Sequence, residues 1–125
     1  MLDERPTARE LIAAVADFLE REVGPALDGR IAFHTKVAAN ALRIVERELR
    51  DGPAAVEAER ARLRELTGAD GSLPELNAVL AERIRAGEPP AGLQVHLVRS
   101  VLARIAIDNP GYPSLREAQR YWPLP

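Results

Sequence analysis

Across 125 residues, 17 Lys plus Arg stand against 19 Asp plus Glu for a formal charge of −2. That balance lacks the basic excess or basic stripe a nucleic-acid binder needs. The chain is 46% hydrophobic and 29% charged, the mix of a globular chain with one core, read as a single domain over residues 1–125. With no cysteine in the sequence, a disulfide framework, a thiol nucleophile and a Cys-ligated zinc are excluded.

The opening Met1-Leu2-Asp3-Glu4-Arg5-Pro6 is acidic and polar, unlike a signal peptide. No apolar run approaches membrane-spanning length, so the expectation is a cytoplasmic protein with no membrane contact. The first helix is expected to begin at Thr7, which forms a capping box with Glu10, and to carry Leu11, Ile12, Val15, Phe18 and Leu19 at helical spacing. Gly24-Pro25 ends it.

Asp28 then caps a second helix that runs to Gly52-Pro53 and organises the rest. At 100° per residue, Ile31, Phe33, Val37, Ala38, Ala41, Leu42, Ile44, Val45 and Leu49 share one broad face. A face wider than half the circumference predicts burial among several neighbours, the central position in a bundle. Gly52-Pro53 is expected to close this helix and start a third, reaching Thr67, with only Val56, Leu63 and Leu66 as a thin apolar stripe. Glu57, Glu59, Arg60, Arg62, Arg64 and Glu65 read as its solvated face.

Gly68-Ala69-Asp70-Gly71 is a turn, and Ser72 with Glu75 makes a second capping box for a fourth helix lined by Leu73, Leu76, Leu80 and Ile84. After the break at Gly87-Glu88-Pro89-Pro90-Ala91-Gly92, a fifth helix from Leu93 to Ile107 is expected to pack Val95, Leu97, Val98, Val101, Leu102, Ile105 and Ala106, leaving His96 on its exposed side. Residues 111–125 hold Tyr112, Tyr121 and Trp122 between prolines and read as an irregular aromatic tail. The fold class is therefore all-α: a bundle of about five helices over residues 7–110, followed by that tail.

Four ionisable residues, Glu22, His34, Glu48 and Asp108, fall inside apolar arcs, where a charge is costly unless paired. Carboxylates and a histidine inside a bundle raise the question of a metal site, but no Glu-x-x-His pair occurs on one helix. His34 and Glu48 stand about 21 Å apart along theirs at 1.5 Å per residue, so they cannot share a metal within one protomer. A second polar set, Lys36, Asn40, Arg47, Asp108 and Asn109, is the candidate ligand-binding group. An ion pair from Arg47 or Lys36 to Asp108, fixing two helices, is the structural alternative for it. The sequence contains no nucleophile elbow, P-loop, HExxH, GxGxxG or EF-hand pattern. No catalytic residue, metal or cofactor is assigned.

At Phe33-His34-Thr35-Lys36-Val37-Ala38-Ala39-Asn40-Ala41-Leu42-Arg43-Ile44-Val45-Glu46-Arg47-Glu48-Leu49 and Ile107-Asp108-Asn109-Pro110, the chain resembles an uncharacterised bacterial family of small helical domains. Its members are often encoded beside aminoglycoside-phosphotransferase-like kinases and acyl-CoA dehydrogenases. The likeness spans most of residues 10–112, and Val37-Ala38-Ala39-Asn40 is its most specific part. It implies a helical fold and a role beside such an enzyme, and it carries over no catalytic residue. Together with the wide apolar face, the small residues Ala38, Ala39 and Ala41 and the aromatic tail, this gives the leading expectation: a non-enzymatic accessory module that forms homo-oligomers. The rival is a helical protein that binds an acyl or phosphorylated small molecule.

Overall fold

The computed structural model describes residues 5–123. Among them are five α-helices and no strand: α1 (Ala8–Phe18), α2 (Gly29–Thr67), α3 (Leu73–Arg85), α4 (Leu93–Asp108) and α5 (Leu115–Tyr121). A π-helical turn at Leu19–Val23 and a 3₁₀ turn at Gly24–Ala26 lead out of α1. The all-α class holds, but the five helices divide the chain differently from the expectation. The two helices expected on either side of Gly52-Pro53 are one, and the fifth lies in the tail. No described helix is long and apolar enough to cross a membrane.

Pro53 sits inside α2, which continues for 39 residues. A proline deletes one backbone hydrogen bond, and its ring disfavours the α conformation in the residue before it by clashing with that residue's Cβ. Here the preceding residue is Gly52, which has no Cβ to clash. Strong helix formers flank the pair on both sides, Glu46-Arg47-Glu48-Leu49-Arg50 before and Ala54-Ala55-Val56-Glu57-Ala58 after. The helix stops instead at Gly68, whose φ of 69° is the left-handed geometry of a helix terminator and whose N–H bonds the Arg64 carbonyl at 2.9 Å.

The chain forms two compact units, Met1–Asp51 and Gly52–Pro125. In the first, the Thr7–Glu10 capping box starts α1 as expected, with Glu10 N–H donating to Thr7 Oγ1 and Thr7 N–H to Glu10 Oε2. The residues buried here are Ala16 on α1 and Ala39 on α2. Arg43, one turn beyond Ala39, ties the two helices together. Its guanidinium donates to Asp17 at 2.5 Å and to Glu20 at 3.0 and 3.3 Å, and also reaches Glu46 on its own helix at 3.3 Å.

The hydrogen bonds from Arg43 hold the Asp17 and Glu20 carboxyls below their ordinary values of 3.8 and 4.5, against a smaller opposing effect of desolvation. Groups with depressed native values add stability that is fully present above their unfolded values and is lost as the pH falls through the native ones. Replacing Arg43 by Met should therefore lower the melting temperature modestly at neutral pH, because solvent screens such networks. The gap in melting temperature between wild type and R43M should stay constant above about pH 5.5 and close progressively below about pH 4. Thermal melts across that range read it directly.

The second unit is built on Leu63, Leu76 and Leu80, with Leu66, Ala69, Leu73 and Leu93 packed around them. Leu63, read from sequence as part of a thin apolar stripe, is fully buried. The charge run beside it is more than a wet face. Arg60 donates to the Gly71 carbonyl at 2.7 Å, and Arg60 and Arg64 both reach Asp70, so the run fastens the α2–α3 turn. The Ser72–Glu75 capping box starts α3. Leu76 and Leu80 line the buried side as expected, whereas Ile84 is exposed.

Helix α4 is rotated relative to the expectation: Leu102 is buried and Val98, Ile105 and Ala106 are half-buried as expected, but the inward face extends to the polar side. His96 is 5% exposed, while Leu97 and Val101, expected in the core, are 48% and 56% exposed. Val95, Val98, Val101, Leu102 and Ile105 share one stripe, but Leu93, Leu97 and Ile107 lie round the helix from it, so apolar residues stand on most sides and packing decides which side turns in. The face turned in carries His96, Leu102 and Ile107, with Arg99 and Ser100 beside them half-buried. The tail is also corrected. It contains α5 with Leu115 buried, while Tyr112 and Tyr121 are exposed and Trp122 is half-buried. Leu124 and Pro125 lie outside the described residues.

Candidate functional site

The pairing of α1 with the first part of α2 determines what the first unit presents. Asp17, Glu20 and Arg43 lie along one edge of the seam marked by Ala16 and Ala39. By helical phase the opposite edge carries Leu11, Val15 and Phe18 of α1 and Ala38, Ala41 and Val45 of α2. On α2 the apolar surface continues through Val37 and Ile44 to Phe33 in one direction and to Ile31 and Leu49 in the other. Every one of these side chains is exposed, Phe18 at 53% and Phe33 at 64%. The expectation that the central helix is enclosed by neighbours is therefore overturned within the chain itself. Its broad face is apolar and uncovered.

Three of the four ionisable residues noted in apolar arcs punctuate this surface. Glu22 and His34 are exposed, and Glu48 is half-buried. His34 Nε2 accepts from Arg30 Nε at 3.3 Å and its ring meets Phe33 edge-on, 5.6 Å between centroids. The fourth, Asp108, receives a bidentate pair from Arg104 one turn back at 2.7 and 2.8 Å. Among the described residues no group of three or more His, Asp or Glu side chains could hold a metal ion.

The candidate ligand group divides between the units. Lys36, Asn40 and Arg47 form one stripe on the first part of α2, spaced four and seven residues apart; Lys36 and Asn40 are exposed and Arg47 is half-buried. Asp108 and Asn109 end α4, where Asn109 is the cap residue and its N–H bonds the Ile105 carbonyl at 2.7 Å. Lys36 also lines a cavity of about 310 Å³ with Leu19, Glu20, Gly24, Pro25 and Ala32, at the turn out of α1. Sequence reasoning did not foresee that cavity. Gly24-Pro25 reads in sequence only as a helix end, whereas in the structure it lines the cavity together with Leu19 and Glu20 of the π turn.

Comparison with known proteins places the chain by family alone. The family described as a domain of unknown function, DUF6285, matches residues 25–112, more than half of the chain. No curated protein and no solved structure matches it.

Proposed function

The chain belongs to the DUF6285 family, and we propose that it is a cytoplasmic helical accessory module that self-associates through the apolar face of its first unit. In that form it serves a phosphotransferase-like kinase or an acyl-CoA dehydrogenase. One observation carries the self-association. The first unit fully buries Ala16 and Ala39 but none of its larger side chains, while nine large apolar side chains of α1 and α2 stand more than a third exposed. A unit of this size is marginal even with a filled core, because ordering each residue costs about 1–2 kcal/mol of backbone entropy. Covering this face with a second copy supplies the missing burial and turns a two-helix unit into a four-helix one.

The sequence of α2 favours an antiparallel, two-fold arrangement centred on Ala41. In that register Ala41 meets its own counterpart, Val37 faces the partner's Val45, and His34 faces the partner's Glu48. Small residues at the crossing, Ala38 and Ala41, permit close approach, and the one basic and one acidic group near the middle of the arc fall opposite each other. The 14-residue separation that keeps His34 and Glu48 apart in one protomer is what pairs them between two.

The client class rests on the resemblance of Phe33–Leu49. Native mass spectrometry of tagged protein isolated gently from its host tests the whole proposal. Dimers accompanied by a kinase or a dehydrogenase support both parts, bare dimers support self-association alone, and monomers at every concentration overturn it. A second reading, binding of an acyl or phosphorylated small molecule, draws on the cavity beside Lys36, where an apolar wall adjoins one ammonium group. A stoichiometric extra mass, lost in K36M, would support that reading.

A further inference from the structure

The rotation of α4 puts polar groups where the second unit should be driest. His96, Arg99 and Ser100 lie at i, i+3 and i+4 on one face of α4, and His96 and Arg99 lie near enough to Arg62, the neighbour of fully buried Leu63 on α2, for the charges to act on one another. Five of their side-chain atoms are sealed from solvent and have no hydrogen-bond partner: Arg62 Nε and one terminal nitrogen, His96 Nδ1, Arg99 Nε and Ser100 Oγ. The groups act on one another. Burial and the Arg62 charge push the His96 imidazole down from 6.5, so the ring is neutral at pH 7, with Glu59 opposing. Burial and Arg99 likewise push Arg62 down, again against Glu59. Glu59 is the acidic group that acts on both Arg62 and His96.

Leaving one buried donor unmade costs about 1–3 kcal/mol, and more when it is charged. A fold that leaves five such atoms together either loses much of its stability there or fills the site. Arg62 and Arg99 are half-buried rather than enclosed, so the cluster lies at the margin of the core. The two planar guanidinium groups match an oxygen-rich anion, and a hydroxyl and an imidazole beside them can complete its shell.

We propose that Arg62, His96, Arg99 and Ser100 form a binding site for an oxyanion, the phosphate or carboxylate group of a small molecule. The site lies wholly in the second unit and is independent of the self-association face.

The test uses the full chain and two probes, inorganic phosphate and acetate, each added at constant ionic strength against chloride. Arginine Nε–H resonances are followed by NMR, with melting temperature alongside. The expected result is saturable movement of the Arg62 and Arg99 signals with one probe or both, a melting temperature that rises with probe concentration, and a His96 titration midpoint raised by the bound anion. Saturation by phosphate alone assigns a phosphorylated ligand, and saturation by acetate alone a carboxylate. R99Q should abolish the response, and R99K, which keeps the charge and loses the fork, should weaken it about tenfold. The exposed R85Q control should keep it. No saturation with either probe, as when ordered water or a second copy's carboxylate fills the site, or an unchanged response in R99Q, would overturn the proposal.

Discussion

Leu63→Ala is expected to destabilise the second unit by about 3 kcal/mol, whereas Leu97→Ala changes it by under about 0.5 kcal/mol. Leu63 is fully buried at the centre of the cluster with Leu76 and Leu80, so truncation removes transfer energy and leaves a cavity that three helices cannot close. Leu97 is 48% exposed on the outer side of α4 and loses little on shortening. For a unit of this length each kcal/mol moves the melting temperature by about 4–8 °C, so L63A should melt roughly 15 °C or more below wild type. The pair is informative because sequence periodicity ranks the two residues the other way. Leu97 belongs to a dense apolar helix and Leu63 to a sparse one. Urea melts monitored at 222 nm, at a concentration low enough to keep the chain unassociated, measure both. Equal losses for the two variants would show α4 turned the other way.

What sequence reveals in this chain is what depends on neighbours along it. Thr7-Glu10 and Ser72-Glu75 each close a capping box within three residues, and both are present where the pattern places them. Glycines 68 and 92, in left-handed backbone at the end of α2 and the start of α4, mark boundaries for the same local reason. Gly52-Pro53 misleads because the rule for proline is a balance. The lost hydrogen bond is local, but the glycine before it and the helix formers on both sides outweigh it over 39 residues. The inward face of α4 is only partly legible: Leu102 is buried where the periodicity places it, but Leu93, Leu97 and Ile107 spread apolar surface round the helix, so its final rotation comes from what it packs against. For the same reason the Arg62–His96–Arg99 cluster stays hidden. Arg62 stands more than 30 residues from His96 and Arg99 in the chain, and each alone resembles a surface charge. The face on α2 is the converse case: its width is plain in sequence, but nothing in one chain says whether another segment covers it.

Val45→Glu is expected to convert the self-associated protein to monomer, raising the dissociation constant at least about 1,000-fold. In the two-fold register centred on Ala41, each Val45 lies against the partner's Val37, so one substitution buries two carboxylates with no counter-ion. Burying an unpaired charge costs several kcal/mol, and about 4 kcal/mol already amounts to three orders of magnitude. Sedimentation equilibrium over a wide concentration range gives the constant, and circular dichroism on the same samples separates lost association from lost helix. The register has its own test through the charges. His34→Glu sets two acidic groups against each other at both ends of the contact and should weaken association. Adding Glu48→Lys to that variant restores opposite charges across the two-fold and should recover most of the loss, although within one protomer the two positions are two helical turns either side of Ala41 and too far apart to pair. Recovery in the double variant identifies this register, because a different alignment would leave the new lysine facing some other residue. If H34E/E48K associates no better than H34E while V45E remains monomeric, the face is the interface but Ala41 is not its centre. If V45E associates as well as wild type, the face is not the interface.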